Sequence, residues 1–109
     1  MWRYDPKYDP DTKDLNNIPE EVQKDLQTED FMWEGTKDLP LFKDVSIAWW
    51  QKSITLARQL TRTFALSLDL PETYFDKLIT YSGSDGCYNY CPPLTAQEAR
   101  REKDIQLSH

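Results

Sequence analysis

Apolar positions recur most regularly in the middle of the chain. In "LFKDVSIAWWQKSITLARQLTRTFALSL", Val45, Trp49, Leu56, Leu60, Phe64 and Leu68 repeat at the spacing of one helix face, with Lys52, Gln59 and Arg62 off that line. A second apolar line runs through Ile47, Trp50, Ile54, Ala57 and Ala65. The pattern predicts a long helix over about 42–68 that is apolar on two sides, and two apolar sides demand two covering surfaces. At 1.5 Å per residue such a helix is roughly 38 Å long. The remaining residues offer too little surface to cover both faces, so part of the helix is expected to meet something outside them.

The flanking segments are shorter and more polar. Residues 1–17 repeat Tyr-Asp-Pro, as Tyr4-Asp5-Pro6 and Tyr8-Asp9-Pro10. Each proline pushes its predecessor out of the helical region, so an extended polar arm is expected, its tyrosines laid on a neighbouring surface. The acids there lack the ladder and glycine of a calcium-binding loop. A helical region is expected over 18–80. It opens with a short helix in "NNIPEEVQKDLQTE", with Ile18, Val22 and Leu26 on one side and Glu20 and Glu21 at its positive end. "DFMWEGTKDLP" reads as irregular, anchored by Phe31 and Trp33. "DLPETYFDKLI" reads as a further helix, with Asp69 near its cap and Leu70, Tyr74, Phe75 and Leu78 as contacts. After the turn "TYSGSDG", residues 86–92 predict a strand ended by Pro92 and Pro93. Residues 95–109 open with a Thr95–Glu98 capping box and so predict one more short helix. The expected class is mainly α with a short β element, in a single partial domain spanning 1–109.

Charge narrows the partners. With 13 basic and 19 acidic residues, net charge −6, no basic face is available for nucleic acid or an anionic membrane. No apolar run approaches the roughly 18 residues of a membrane span. "MWRYDPKYDP" has no apolar signal core, so a cytoplasmic protein is expected. Aromatic residues make up 13% of a chain whose mean hydropathy is −0.77, a pairing that suits a piece burying aromatic stripes against something larger. Three glycines build no phosphate-cradling loop.

Complete chemistry is absent from the pattern. Cys87 and Cys91, in an extended stretch, stand about 13 Å apart at ~3.3 Å per residue, too far for a disulfide or a shared metal. A Ser or Cys nucleophile needs a base, and the only histidine is the last residue, His109. No His or Cys residues stand at a metal-ligand spacing.

Three stretches, "FMWEGTKDLPLFKD", "RTFALSLDLPETYFD" and "YNYCPPLTAQEARREKDIQLSH", together resemble the isopenicillin N synthase-like branch of the non-haem iron(II), 2-oxoglutarate-dependent dioxygenases, particularly its fungal members. The resemblance covers nearly the whole chain, with "FALSLDLPETYFD" its most specific part. It implies the helical N-terminal part of a double-stranded β-helix (jelly-roll) α+β enzyme, incomplete, with a long helix laid across the barrel. In that family iron is held by His-x-Asp and a distant second His, leaving positions for 2-oxoglutarate and oxygen. By the match His109 is the first iron ligand, while the Asp, the second His and the cosubstrate-gripping Arg-x-Ser are not among these 109 residues. Asn89 matches the family's Asn-Tyr-Tyr-Pro strand, whose second Tyr can hydrogen-bond cosubstrate. Cys91 stands in that Tyr's place, a weak donor instead of a phenol. The resemblance implies an oxidoreductase acting on a small organic substrate, with Fe(II) and 2-oxoglutarate as cofactors; the 109 residues alone are expected to bind neither and to be inactive. The alternative is a non-catalytic helical module docking a partner through Trp33, Trp49, Trp50 and Phe64. Unpartnered helix faces predict self-association in either case.

Overall fold

The computed structural model describes residues 2–12, 14–26 and 31–107, Trp2 through its backbone only. Its dominant element is helix α3, Phe42–Ser67. Before it come a two-residue strand β1 (Trp2–Arg3), helix α1 (Glu20–Asp25) and a single helical turn α2 (Phe31–Gly35). After it come strand β2 (Asp85–Gly86) and helix α4 (Ala96–Leu107). No helix among the described residues is long and apolar enough to cross a membrane.

Both ends of α3 are set by left-handed residues. Leu41, at φ 65°, turns the chain out of Pro40, and the amide of Val45 bonds to its carbonyl 2.9 Å away. At the other end Asp69, at φ 57°, closes a Schellman motif. The Leu70 amide reaches back to the Ala65 carbonyl (2.9 Å) and the Asp69 amide to that of Leu66 (3.1 Å). Within the helix the hydroxyls of Ser46, Ser53, Thr55, Thr61 and Thr63 each return to the carbonyl four residues earlier, so these polar side chains need no other partner.

Of the second apolar line of α3, Ile47, Trp50, Ile54 and Ala65 are buried and Ala57 is exposed. Ile47, Trp50 and Ile54 form a core with Tyr4 and Trp33, ringed by Tyr8, Leu26, Met32, Phe42 and Tyr81. The arm runs parallel to the helix: Tyr4 sits against Trp50 with ring centres 5.8 Å apart, Gln51 Nε2 donates to the Tyr8 carbonyl, and Asp9 meets Arg58. Residues 79–88 run the other way, from Arg58 towards Phe42. The two segments join where β1 pairs antiparallel with β2, Trp2 opposite Gly86 and Arg3 opposite Asp85. A narrow ribbon therefore lies along one face of α3. The other line stays bare: Val45, Trp49, Leu56, Leu60, Phe64 and Leu68 are between 50% and 74% exposed.

Three expectations need correction. The stretch "FMWEGTKDLP" is not irregular at its start but forms α2, and only one of its two expected anchors is inside. Trp33 is 9% exposed and Phe31 64%, because residues two apart on a helix point about 200° apart. No α-helix starts at Asp69–Pro71. The Schellman motif takes up residues 69 and 70, and the amides that follow close turns instead, Tyr74 onto the Pro71 carbonyl and Asp76 onto that of Thr73. What remains is a run of turns and one 3-10 turn at Asp76–Leu78, with Tyr74 and Leu78 exposed. Over 86–92 only Gly86 is paired; residues 87–95 have no regular structure, for the arm offers β1 as a partner of just two residues. The capping box does form, with the Thr95 amide donating to Glu98 Oε2 (2.9 Å) and the Glu98 amide to Thr95 Oγ1 (3.3 Å). It starts α4, none of whose residues is buried.

Candidate functional site

The Tyr-Asp-Pro repeat folds as the same small unit twice. Asp5 accepts the amide of Lys7 and Asp9 that of Asp11, each at 3.0 Å, across a proline whose fixed φ suits the turn. Asp14 repeats the motif without proline, accepting the amide of Asn16 at 2.9 Å. The second copy differs in where it lies. The Asp9 side chain has 0% exposure and faces Arg58 on α3, itself 13% exposed.

Arg58 grips Asp9 with both ends of its fork, Nη1 to Oδ1 at 2.6 Å and Nη2 to Oδ2 at 2.7 Å. Nη1 also donates to Asp11 Oδ2 (2.9 Å), and Nη2 to the carbonyls of Ile79 (3.3 Å) and Thr80 (3.0 Å). Tyr4 donates its hydroxyl to Asp9 Oδ2 at 2.6 Å. Asp9 thus receives two bonds from Arg58, one from Tyr4 and one from the Asp11 amide, filling the roughly four acceptor positions of a carboxylate. One guanidinium joins three parts of the chain: the arm, α3 and the 79–80 backbone.

The electrostatics follow from that packing. Burial alone pushes the Asp9 carboxyl up, but the bonds from Arg58, Tyr4 and the Asp11 amide outweigh it and hold its pKa below the ordinary carboxylate range. Burial first, and the bond to anionic Asp9 second, push the Tyr4 phenol up to about 12. The hydrogen bonds to Asp9 raise Arg58 further above its already high value, against its own burial. None of the three changes charge near neutral pH, so the cluster is suited to holding segments together and unsuited to proton transfer.

Beside it lies an open groove of about 630 Å³, lined in part by Asp11, Asp14, Arg58, Arg62, Asp76 and Tyr81. Its second arginine, Arg62, bonds Asp76 through Nη2 (2.8 Å) and Nε (3.3 Å). The groove's cations therefore already carry carboxylates.

The residues singled out from the sequence are not gathered here. Asn89 and Cys91 lie on the exposed segment between β2 and α4, and both Cys87 and Cys91 are free thiols. The Cys87 thiol points at Asn89 Oδ1, 3.9 Å away. His109 lies outside the described residues. Among the described residues, which do not include His109, no group of three or more His, Cys, Asp or Glu is placed to hold a metal ion. The Arg58 cluster had been missed. Its signal was a charge standing four residues after Ile54, on the apolar line that is buried.

Two curated proteins are similar to the chain along most of its length. The 2-oxoglutarate-Fe(II) type oxidoreductase ppzC of Metarhizium majus (strain ARSEF 297) is 43% identical over 108 residues, covering 96% of this chain and 29% of that protein. The protein of the same name from Metarhizium rileyi (strain RCEF 4871) is 43% identical over 96 residues, covering 88% of this chain and 26% of that protein. The chain spans less than a third of the length of these relatives. No family model and no solved structure matches it.

Proposed function

We propose that this chain is the helical, non-catalytic portion of a 2-oxoglutarate- and Fe(II)-dependent oxidoreductase of the isopenicillin N synthase-like branch, acting as a whole on a small organic substrate. The observation that carries the reading is the 43% identity to two proteins named as such oxidoreductases, extending over 96% of the chain in the first. The bare line of α3 supports it. Six large apolar side chains, five on the helix and Leu68 at its C-cap, are half or more exposed, and completing the burial of each is worth about 1–2 kcal/mol. In a jelly-roll enzyme that line is the face for barrel strands. Asn89 and Cys91 then belong to the strand entering the barrel, and His109 is the candidate first iron ligand. The chain's own part is to brace the barrel, with Arg58 fixing the arm and the 79–80 turn on the helix.

A chimera tests this. The chain replaces its matched residues in the Metarhizium majus protein, and the Fe(II)-loaded product is assayed for oxygen-dependent conversion of 2-oxoglutarate to succinate. It is expected to fold and to turn over within about tenfold of the parent, a margin of about 1.4 kcal/mol in the barrier. A chimera that aggregates, or folds without turnover while the parent is active, sinks the reading.

A further inference from the structure

Residues 79–88 are tied to α3 at regular intervals. Arg58 holds the carbonyls of Ile79 and Thr80, Trp50 Nε1 donates to Ser84 Oγ at 3.2 Å, and Tyr88 packs 5.2 Å from the Phe42 ring while its hydroxyl bonds Ser46 Oγ. From Arg58 to Phe42 the helix covers roughly 24 Å, and the segment from 79 to 88 covers about 30 Å when fully stretched. After bends at 79–81 the strip runs along the helix, its tied ends spanning most of the reach of an extended chain.

The arm meets the same strip at both ends. Its backbone pairs with Asp85 and Gly86, and its Asp9 and Asp11 occupy the other side of Arg58. A two-residue pairing specifies register weakly by itself, and a slip of one residue turns every side chain to the opposite face.

We propose that the N-terminal arm is a register strap. Through Arg58 and β1 it fixes where residues 79–88 lie along α3, and with Tyr88 as the end stop it sets which face Cys87, Asn89 and Cys91 present. Side chains alternate in an extended stretch, so with Tyr88 turned to the helix its neighbours turn away. The contact between the Cys87 thiol and Asn89 Oδ1 places these two on a common side. A one-residue slip brings Cys87 or Asn89 against Phe42 and reverses the presentation. The strap stands on contacts within this chain; that the presented face meets a cosubstrate rests on the oxidoreductase reading above.

Distances between spin labels on the full chain test it. Cys87→Ser leaves Cys91 as the only native thiol, and Lys52→Cys adds a second on an exposed position of α3. The parent pair gives one narrow distance distribution by double electron–electron resonance. Asp9→Asn and Tyr88→Phe each broaden or split it while far-UV circular dichroism shows α3 intact. Arg58→Lys, which keeps the charge towards Asp9, stays narrower than Arg58→Met. A distribution already broad in the parent, or narrow in both Asp9→Asn and Tyr88→Phe, overturns the strap. So does loss of helix in Tyr88→Phe, since the contact would then serve α3 and not the strip. No iron or cosubstrate enters the measurement, so an inactive chimera leaves the strap standing, and unchanged distances leave the oxidoreductase reading standing.

Discussion

Arg58→Met removes the guanidinium and leaves the Asp9 carboxylate, with 0% side-chain exposure, without its cation. Removing one partner of a buried pair costs about 3–5 kcal/mol. The lower end applies here, because the Tyr4 hydroxyl and the Asp11 amide still donate to Asp9 and Arg58 itself is 13% exposed. The expected loss is about 3 kcal/mol. With an unfolding entropy of about 2.1 cal/mol/K per residue, that lowers the melting temperature of a chain this long by roughly 13 °C. Urea unfolding at pH 7, followed by far-UV circular dichroism, reads the loss directly. The double variant Asp9→Leu/Arg58→Met replaces charge by apolar volume and costs less than Arg58→Met, about 1–2 kcal/mol, for the Tyr4 hydroxyl, the Asp11 amide and the Ile79 and Thr80 carbonyls left without these partners. The reasoning fails if Arg58→Met costs less than about 1 kcal/mol, or if the double variant costs as much as the two single ones together.

Titration offers a second set of checks. Asp9, with its pKa lowered on folding, contributes stability that is complete above about pH 4 and fades as pH falls through the lowered value; Asp9→Asn flattens that acid limb of the melting curve. Tyr4, raised to about 12, favours the folded state below about pH 10 and loses that contribution as pH climbs from there towards 12; phenolate absorbance should show a last phase that Tyr4→Phe removes. Leu41→Gly relieves a left-handed leucine that is 69% exposed, so a gain of about 0.5–1 kcal/mol is expected in thermal melts, and a loss refutes the assigned backbone. Thr95→Ala takes one side out of the capping box and costs α4 about 1 kcal/mol locally; amide exchange over residues 96–100 quickens while the global melt stays put, since α4 buries nothing.

The long helix was legible because its periodicity holds for seven turns and Asp69-Leu70-Pro71 marks its end. Which of its two lines is covered was not legible. Periodicity gives the angle of an apolar residue around the axis and says nothing about what faces it. The decisive partners, Tyr4 and Asp9, come from the arm, and their pairing with Trp50 and Arg58 is a long-range fact. The stretch after Asp69 carries every local sign of a helix start, but those signs are shared with turns, and the stretch has no core to pack against. Asn89, Cys91 and His109 follow from resemblance alone, since no spacing among them points to one another; Asn89 and Cys91 lie on one exposed segment and His109 lies outside the described residues.

The ribbon on α3 also combines local and very long-range contacts. α3 is long enough to form turns on its own, whereas β1 needs a partner from nearly the other end of the described chain. The arm's contact with Arg58 spans 49 residues of chain, and its pairing with Asp85 and Gly86 spans more than eighty. Helix formation is a submicrosecond event; closing so long a loop is the slow, entropically costly step. In a largely helical chain, the contact with the greatest loop-closure cost is thus a ladder only two residues long.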